Sequence, residues 1–250
     1  MSPSTGTREN REFASELKFL VTGAVAEQIC GWARSRLAPD PNASEDSKDA
    51  YPISSLYFDT EGFDVYHRKG SFARSKYRIR RYGARQVAFL ERKLKARGLV
   101  TKRRSIVKLD ELERLVAPQP ERGWVGRWFH RRLLARGLRP VCQITYRRIA
   151  RVAMTQYGPI RLTLDQNVRA LPATDGLFND RTDGALLLEN QIILELKYRY
   201  ELPVLFKLLV EEFALTRQPV SKYRLATVAL GLAEYTLANQ PTPVPHLTHA

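Results

Sequence analysis

Cysteine is nearly absent from this chain. Cys30 and Cys142 are the only two in 250 residues, too few for a disulfide scaffold and too isolated for a zinc site. Both are expected to be packing residues in a reduced, cytoplasmic setting. Long apolar runs are missing as well: no stretch of about 18 uncharged hydrophobic residues occurs, so no bilayer-spanning helix is expected. The opening MSPSTGTRENREF has no apolar segment, and no secretory signal peptide is expected there. The four histidines form no legible Ser/His/Asp or Cys/His pattern; His67 and His130 read as surface or satisfied side chains. Acid is scarce relative to base. Asp and Glu number 26 against 41 Lys and Arg, a formal net charge of +15, which calls for an anionic partner: nucleic acid, an anionic membrane or phosphates.

What is present is the composition of a folded protein. A hydrophobic share of 44% with scattered aromatics excludes a disordered chain, and the length is ample for a real core. No internal repeat and no domain-separating linker is visible, so a single domain over 13–238 is expected, with flexible tails at 1–12 and 239–250.

The charge is concentrated. Sixteen Lys and Arg lie between Tyr66 and Lys108, opposed only by Glu91. The same stretch carries Tyr77, Ile79, Tyr82, Val87, Phe89, Leu90, Leu94, Val100 and Ile106, which are mostly strand formers, so the cations are expected on ordered β-structure. Strands are read at 15–21, 53–59, 75–82, 87–96, 99–107, 141–153, 159–166 and 186–198. Helices are read at 23–37, 108–116 (with Asp110 as cap and Glu113 three residues on), in a Trp- and Arg-rich piece ending at Leu138, at 203–213 and at 222–239. Polar loops are read at 39–48 and 172–184. Trp124 and Trp128 are expected to pack that piece onto the sheet.

Side chains alternate across a strand with period two. In KYRIR, Lys76, Arg78 and Arg80 share one face. In FLERKLK it is Glu91, Lys93 and Lys95; in RLTLD, Arg161, Thr163 and Asp165; in LELK, Glu195 and Lys197; in ELKF, Glu16 and Lys18. One such strand is an ordinary solvated face. Five of them put like charges side by side, which costs stability unless a polyanion lies between. The expected fold is α+β: an antiparallel closed tunnel β-barrel with a charged lumen, flanked by helices that cover its apolar outside. Lys and Arg in such a lumen clamp phosphate oxygens. Carboxylates among them stay ionised and suit Mg²⁺ or Mn²⁺.

In this order, ELKF, SLYFDT, KYRIR, FLERKLK, VTKRR, TYRRIA, RLTLD, LELKY and SKY resemble the VTC domain, the polyphosphate polymerase domain of the vacuolar transporter chaperone complex. That domain belongs to the CYTH, or triphosphate tunnel metalloenzyme, superfamily. The resemblance spans roughly residues 13 to 235. It implies an enzyme that moves the γ-phosphate of ATP onto a growing inorganic polyphosphate chain with Mn²⁺ or Mg²⁺. It further implies that Lys18, Arg78, Arg80, Lys93, Lys102, Arg148 and Arg161 grip phosphates, with Lys222 and Ser221 closing over them from the last helix. Lys76, Lys95, Arg104 and Lys197 would add substrate contacts, Tyr146 a tunnel hydroxyl, and Glu195 the metal ligand. The family's ExExK signature is reduced here to Glu16-x-Lys18, with Ala14 at its first position. No SPX-like sensor or membrane segment accompanies these residues, so inositol-pyrophosphate control and coupled translocation are not expected; a partner that supplies a membrane anchor is compatible with the reading.

Three alternatives are weighed. A non-catalytic polyphosphate or inositol-phosphate binding module would use the same clamps, and a triphosphatase the same tunnel. Nucleic-acid binding follows from charge alone, but Glu16, Glu91 and Glu195 share the cationic faces and would repel a metal-free backbone, and no RNP, KH or zinc-finger pattern occurs. No nucleic-acid partner is expected.

Overall fold

Period-two alternation builds one antiparallel sheet. The structure is a computed structural model and describes residues 15–41, 49–96 and 99–233, without the side chains of 95, 96, 99 and 100. Its strands are β1 (Ser15–Thr22), β2 (Ala38–Pro39), β3 (Ala50–Asp59), β4 (Ser75–Tyr82), β5 (Val87–Ala96), β6 (Leu99–Lys108), β7 (Arg139–Thr155), β8 (Gly158–Pro172), β9 (Ala185–Leu186) and β10 (Gln191–Tyr198). The ladder runs β1-β10-β8-β7-β3-β4-β5-β6, with β2 on β7 and β9 on β8. Among the described residues α-helices accompany it: α1 (Gly23–Arg34), α2 (Asp64–His67), α3 (Arg127–Ala135), α4 (Val204–Glu212) and α5 (Lys222–Ala229). Among the described residues no helix is long and apolar enough to cross a membrane.

Closure of the expected barrel by a continuous ladder is not seen among the described residues. The ladder ends at β1 and β6, and no pairing between them occurs among the described residues. The sheet is curled, and side chains bring its margins together: Lys93 Nζ on β5 reaches Glu16 Oε2 on β1 at 3.3 Å. The segment leading into α5 covers the free edge of β1, where the Gln218 amide donates to the Lys18 carbonyl at 2.8 Å.

Two sets of apolar strand residues point away from the charged face and are covered by helices. Phe19, Val21, Leu162, Leu164, Leu194 and Leu196 pack with Ile29, Trp32 and Ala33 of α1 and with Phe206 and Leu209 of α4. Burial of each such side chain contributes about 1.5–3 kcal/mol. Leu56, Phe58, Tyr77, Ile79 and Leu90 pack under Phe129 and Leu133 of α3. Trp124 is buried, and Trp128 donates to Ser105 Oγ at 2.8 Å with Arg103 stacked on it, so this piece does lie on the sheet. Cys30 and Cys142 are buried free thiols.

Several boundaries differ from the sequence reading. The strand expected to end at 166 continues to Pro172 through a bulge, where the pairing shifts between Thr145 and Arg147 and Asn167 adopts φ 53°. Asparagine tolerates this left-handed conformation, and the extra residue breaks the alternation that marks a strand. The 108–116 segment is a 3-10 turn over Asp110–Val116 whose entry is not capped by Asp110; Glu111 accepts from the Lys108 amide instead. The last helix ends at Ala229, with Gly231 at φ 59° shortly after; the part expected beyond 233 lies outside the described residues, as do both tails and 42–48 of the polar loop.

The last helix is fastened from two sides. Tyr223 Oη donates to Asp59 Oδ2 at 2.5 Å, and its ring stacks on Tyr57. Arg224 donates to the Tyr66 carbonyl at 2.6 Å. Asp59, fully buried, also accepts from the amides of Thr60, Val65 and Tyr66. Tyr223→Phe keeps the ring and removes one bond to a charged acceptor, worth about 1.5–3 kcal/mol. A thermal melt is expected to show a loss of about 5 °C.

Candidate active site

Strand register settles which side chains share a face, because residues directly opposite in an antiparallel pair point the same way. Lys18 opposes Glu195, which opposes Thr163; Asp165 opposes Arg148; Arg148 opposes Tyr51. Further along, Ser55 opposes Arg80, Tyr57 opposes Arg78, Arg78 opposes Glu91, and Glu91 opposes Arg104. Lys76, Lys93 and Lys102 form one row. The five charged faces read from the sequence therefore make one concave surface.

Its carboxylates are already neutralised by its cations. Glu91, 1% exposed, binds Arg78 at 2.6 Å, Lys102 at 2.5 Å and Arg104 at 2.6 Å. Asp165, fully buried, takes a fork from Arg148, Nε to Oδ1 at 2.5 Å and Nη2 to Oδ2 at 2.6 Å. Its Oδ2 also meets Lys222 Nζ at 2.5 Å. Glu195 is held more loosely, by Lys18 at 3.1 Å, Lys197 at 3.4 Å and Lys222 at 3.5 Å. Glu16 shares Lys18 and Lys197 with it. Arg80, 5% exposed, donates to Ser55 Oγ and Tyr146 Oη. Arg161 pairs with Asp40 and donates to Tyr51 Oη. Ser221 caps α5 and accepts from Lys76 Nζ at 2.9 Å. Lys95 lies in β5 opposite Val100; its side chain is outside the described residues.

The charges answer to these neighbours. Burial opposes ionisation of Glu91 and Glu195, yet the surrounding cations, led by Arg78 for the first and Lys18 for the second, hold both carboxyls well below the usual range. Burial likewise works against the Lys18 ammonium, and Glu195 and Glu16 hold it above its ordinary value. Lys76 goes the other way. It opens onto solvent within the concavity, but desolvation and then the like charges of Lys18, Lys93, Arg78 and Arg68 press it down to about 7. The Tyr82 hydroxyl, despite burial, is lowered to about 7, chiefly by Arg80.

Two sets of residues escaped the sequence reading. Ser55, Tyr57, Tyr51 and Tyr82 orient the arginines, and alternation within SLYFDT could have found the first two. The Asp59–Tyr223 latch could not be read, because it joins residues 164 apart. Among the described residues no group of three or more His, Cys, Asp or Glu could hold a metal. Glu91 is unsuited, since three cations crowd its two oxygens. Glu195 with Glu16 is better suited: both are hard oxygen donors with longer, exchangeable contacts. Magnesium-type ions take one or two protein carboxylates and complete their shell with water and phosphate.

A family model described as the VTC domain matches residues 13–230. No protein of curated function matches the sequence. Among solved structures, a candidate adenylate cyclase from Bacillus halodurans is similar at 15% identity and a TM-score of 0.52, covering 84% of this chain and 94% of that one. A candidate adenylyl cyclase from Hippeastrum, named for its dominant triphosphatase activity, has 15% identity and a TM-score of 0.46 over 89% and 97%. The Bacillus protein shares the fold.

Proposed function

The chain belongs to the VTC domain family, and from that membership we propose that it is a divalent-metal-dependent polyphosphate polymerase that uses ATP. The observation that supports this reading best is the continuous concave row of Lys and Arg, with cations outnumbering the four carboxylates Glu16, Glu91, Asp165 and Glu195 among them. A linear phosphate chain brings the negative charge that this surface is short of.

Arg80 and Arg148 are locked by their hydroxyl and carboxylate partners and present fixed donors to phosphate oxygens, so little reorganisation is needed as charge develops. Lys18, Lys76, Lys93 and Lys197 are more accessible and receive the anion. Lys222 and Ser221 approach from α5. Together they align the terminal oxygen of the polyphosphate with the γ-phosphorus of ATP. A new P–O bond forms there as the bond to the β-phosphate oxygen breaks and ADP leaves. Glu195 and Glu16 would hold a divalent ion, which when bound would neutralise charge on the phosphate oxygens. Phosphoryl transfer needs mostly positioning and neutralisation from a protein, which fits a site whose serines, Ser55 and Ser221, accept from Arg80 and Lys76.

The test is direct. Purified protein incubated with ATP and Mn²⁺ is expected to yield a ladder on a gel stained for polyphosphate, with matching ADP. ADP and free phosphate without polymer would mark a triphosphatase. Tight polyphosphate binding with ATP intact would mark a binding module. Either result overturns the polymerase reading.

Lys76 adds a pH signature. Its lowered value means that the ammonium is lost as pH rises through about 7, so its contribution to anion binding is full below that point and fades above it. Tripolyphosphate affinity of wild type relative to Lys76→Gln, measured from pH 6 to 8.5, is expected to fall as pH rises. A pH-independent ratio would contradict the assignment.

A further inference from the structure

Lys222 sits where a cation belongs. Its ammonium lies 2.5 Å from Asp165 Oδ2 and 3.5 Å from Glu195 Oε1, under the Tyr146 ring at 4.9 Å, and the residue is only 8% exposed. Thr163 shares the face of the two carboxylates. It lies two residues before Asp165 on β8 and directly opposite Glu195 on β10, so all three side chains share the concave face. Its hydroxyl is fully buried and has no hydrogen-bond partner. Buried hydroxyls are ordinarily bonded, and this one is a hard oxygen donor with unused capacity beside two anions.

The cradle does not depend on Lys222 for its shape. Arg148 forks onto Asp165, and Lys18 and Lys197 flank Glu195. Lys222 opens helix α5, which is fastened by Tyr223 and Arg224, and its flexible stem lets the ammonium move while the helix stays. We propose that the Lys222 ammonium holds the place of a divalent cation between Asp165 and Glu195, and that a bound phosphate chain draws it off and opens the cradle to the metal. The proposal rests on reading the concave face as a phosphate site. It adds Asp165 and Thr163 to the metal's surroundings and makes metal affinity conditional on substrate. With Lys222 withdrawn, Arg148 stays on Asp165 and Lys18 and Lys197 stay on Glu195, so the two carboxylates attract a divalent ion most strongly once a phosphate chain also balances those cations. Water and phosphate oxygens complete the shell.

The test uses Mn²⁺ alone. Free Mn²⁺ is followed by electron paramagnetic resonance during titration of wild type, Lys222→Met and Lys222→Gln, without nucleotide or phosphate. Both variants are expected to bind Mn²⁺ about 10–100-fold more tightly than wild type, the scale on which neighbours of a metal site act. Adding Thr163→Val to Lys222→Met is expected to weaken that binding. Folded variants with wild-type Mn²⁺ affinity overturn the proposal. Should neither variant fold, wild-type crystals soaked with Mn²⁺ and tripolyphosphate decide. An anomalous peak between Asp165 and Glu195, with Lys222 displaced, upholds it; a peak elsewhere, or Lys222 still on Asp165, overturns it. Neither readout uses turnover, so a protein that exchanges Lys222 for Mn²⁺ yet makes no polymer refutes the polymerase reading alone.

Discussion

Glu91→Gln is expected to lower the melting temperature by about 10 °C, and saturating tripolyphosphate is expected to restore much of the loss. Among the described residues Glu91 is the only carboxylate paired with Arg78, Lys102 and Arg104, at 2.6, 2.5 and 2.6 Å. Glutamine keeps the shape and removes the charge, leaving three cations to repel one another in a buried setting. Breaking such a cluster costs about 3–5 kcal/mol, and a chain of this size loses about 2–4 °C for each kcal/mol. A polyanion supplies the missing charge, so the variant should gain more from tripolyphosphate than wild type does. The pH dependence has a definite sign. The Glu91 carboxyl is held well below its ordinary value of 4.5, so the stabilisation is fully present above that value and drains away only in stronger acid. Differential scanning fluorimetry with and without ligand checks both parts. An unchanged melting point, or equal gains in both proteins, would contradict the charge-balance account.

Glu195→Gln is expected to have the opposite signature. Metal-dependent turnover should fall about 100-fold or more, the scale of losing one electrostatic contributor to a transition state. Tripolyphosphate binding should persist or tighten. The physical reason is that Glu195 competes with the substrate for Lys18, Lys197 and Lys222, so removing its charge leaves Lys18 and Lys197 to Glu16 alone and Lys222 to Asp165 alone. Arg80→Ala and Lys222→Ala, by contrast, remove donors and should weaken binding itself. ADP release across a Mn²⁺ titration, paired with calorimetric binding of tripolyphosphate, separates the two classes. A wild-type metal response in Glu195→Gln would remove this residue from the metal site.

How much of this was legible can be judged residue by residue. The face shared by Lys76, Arg78 and Arg80 followed from period-two alternation, and the register confirms that face. The start of the last helix was legible too, read at 222, where α5 begins. The bulge at Asn167 was not, because a strand that inserts a residue looks, in sequence, like a strand that stops. Nor was the state of the carboxylates. Strand spacing put Glu91, Asp165 and Glu195 among cations, but it could not say that Glu91 is saturated while Glu195 is loosely held.

The sequence by itself determined the scarcity of acid, the location of the basic residues and their common face, since these depend only on composition and on the geometry of a single extended chain. Tertiary structure decided everything that joins distant strands. It decided that the curled sheet brings Glu16 of β1 to Lys93 of β5, that Tyr223 fastens α5 to Asp59, and that Lys222 rests between Asp165 and Glu195. The reason is physical: alternation fixes which way a side chain points, whereas the distance between two charges depends on curvature and register, to which strands far apart in the chain contribute together.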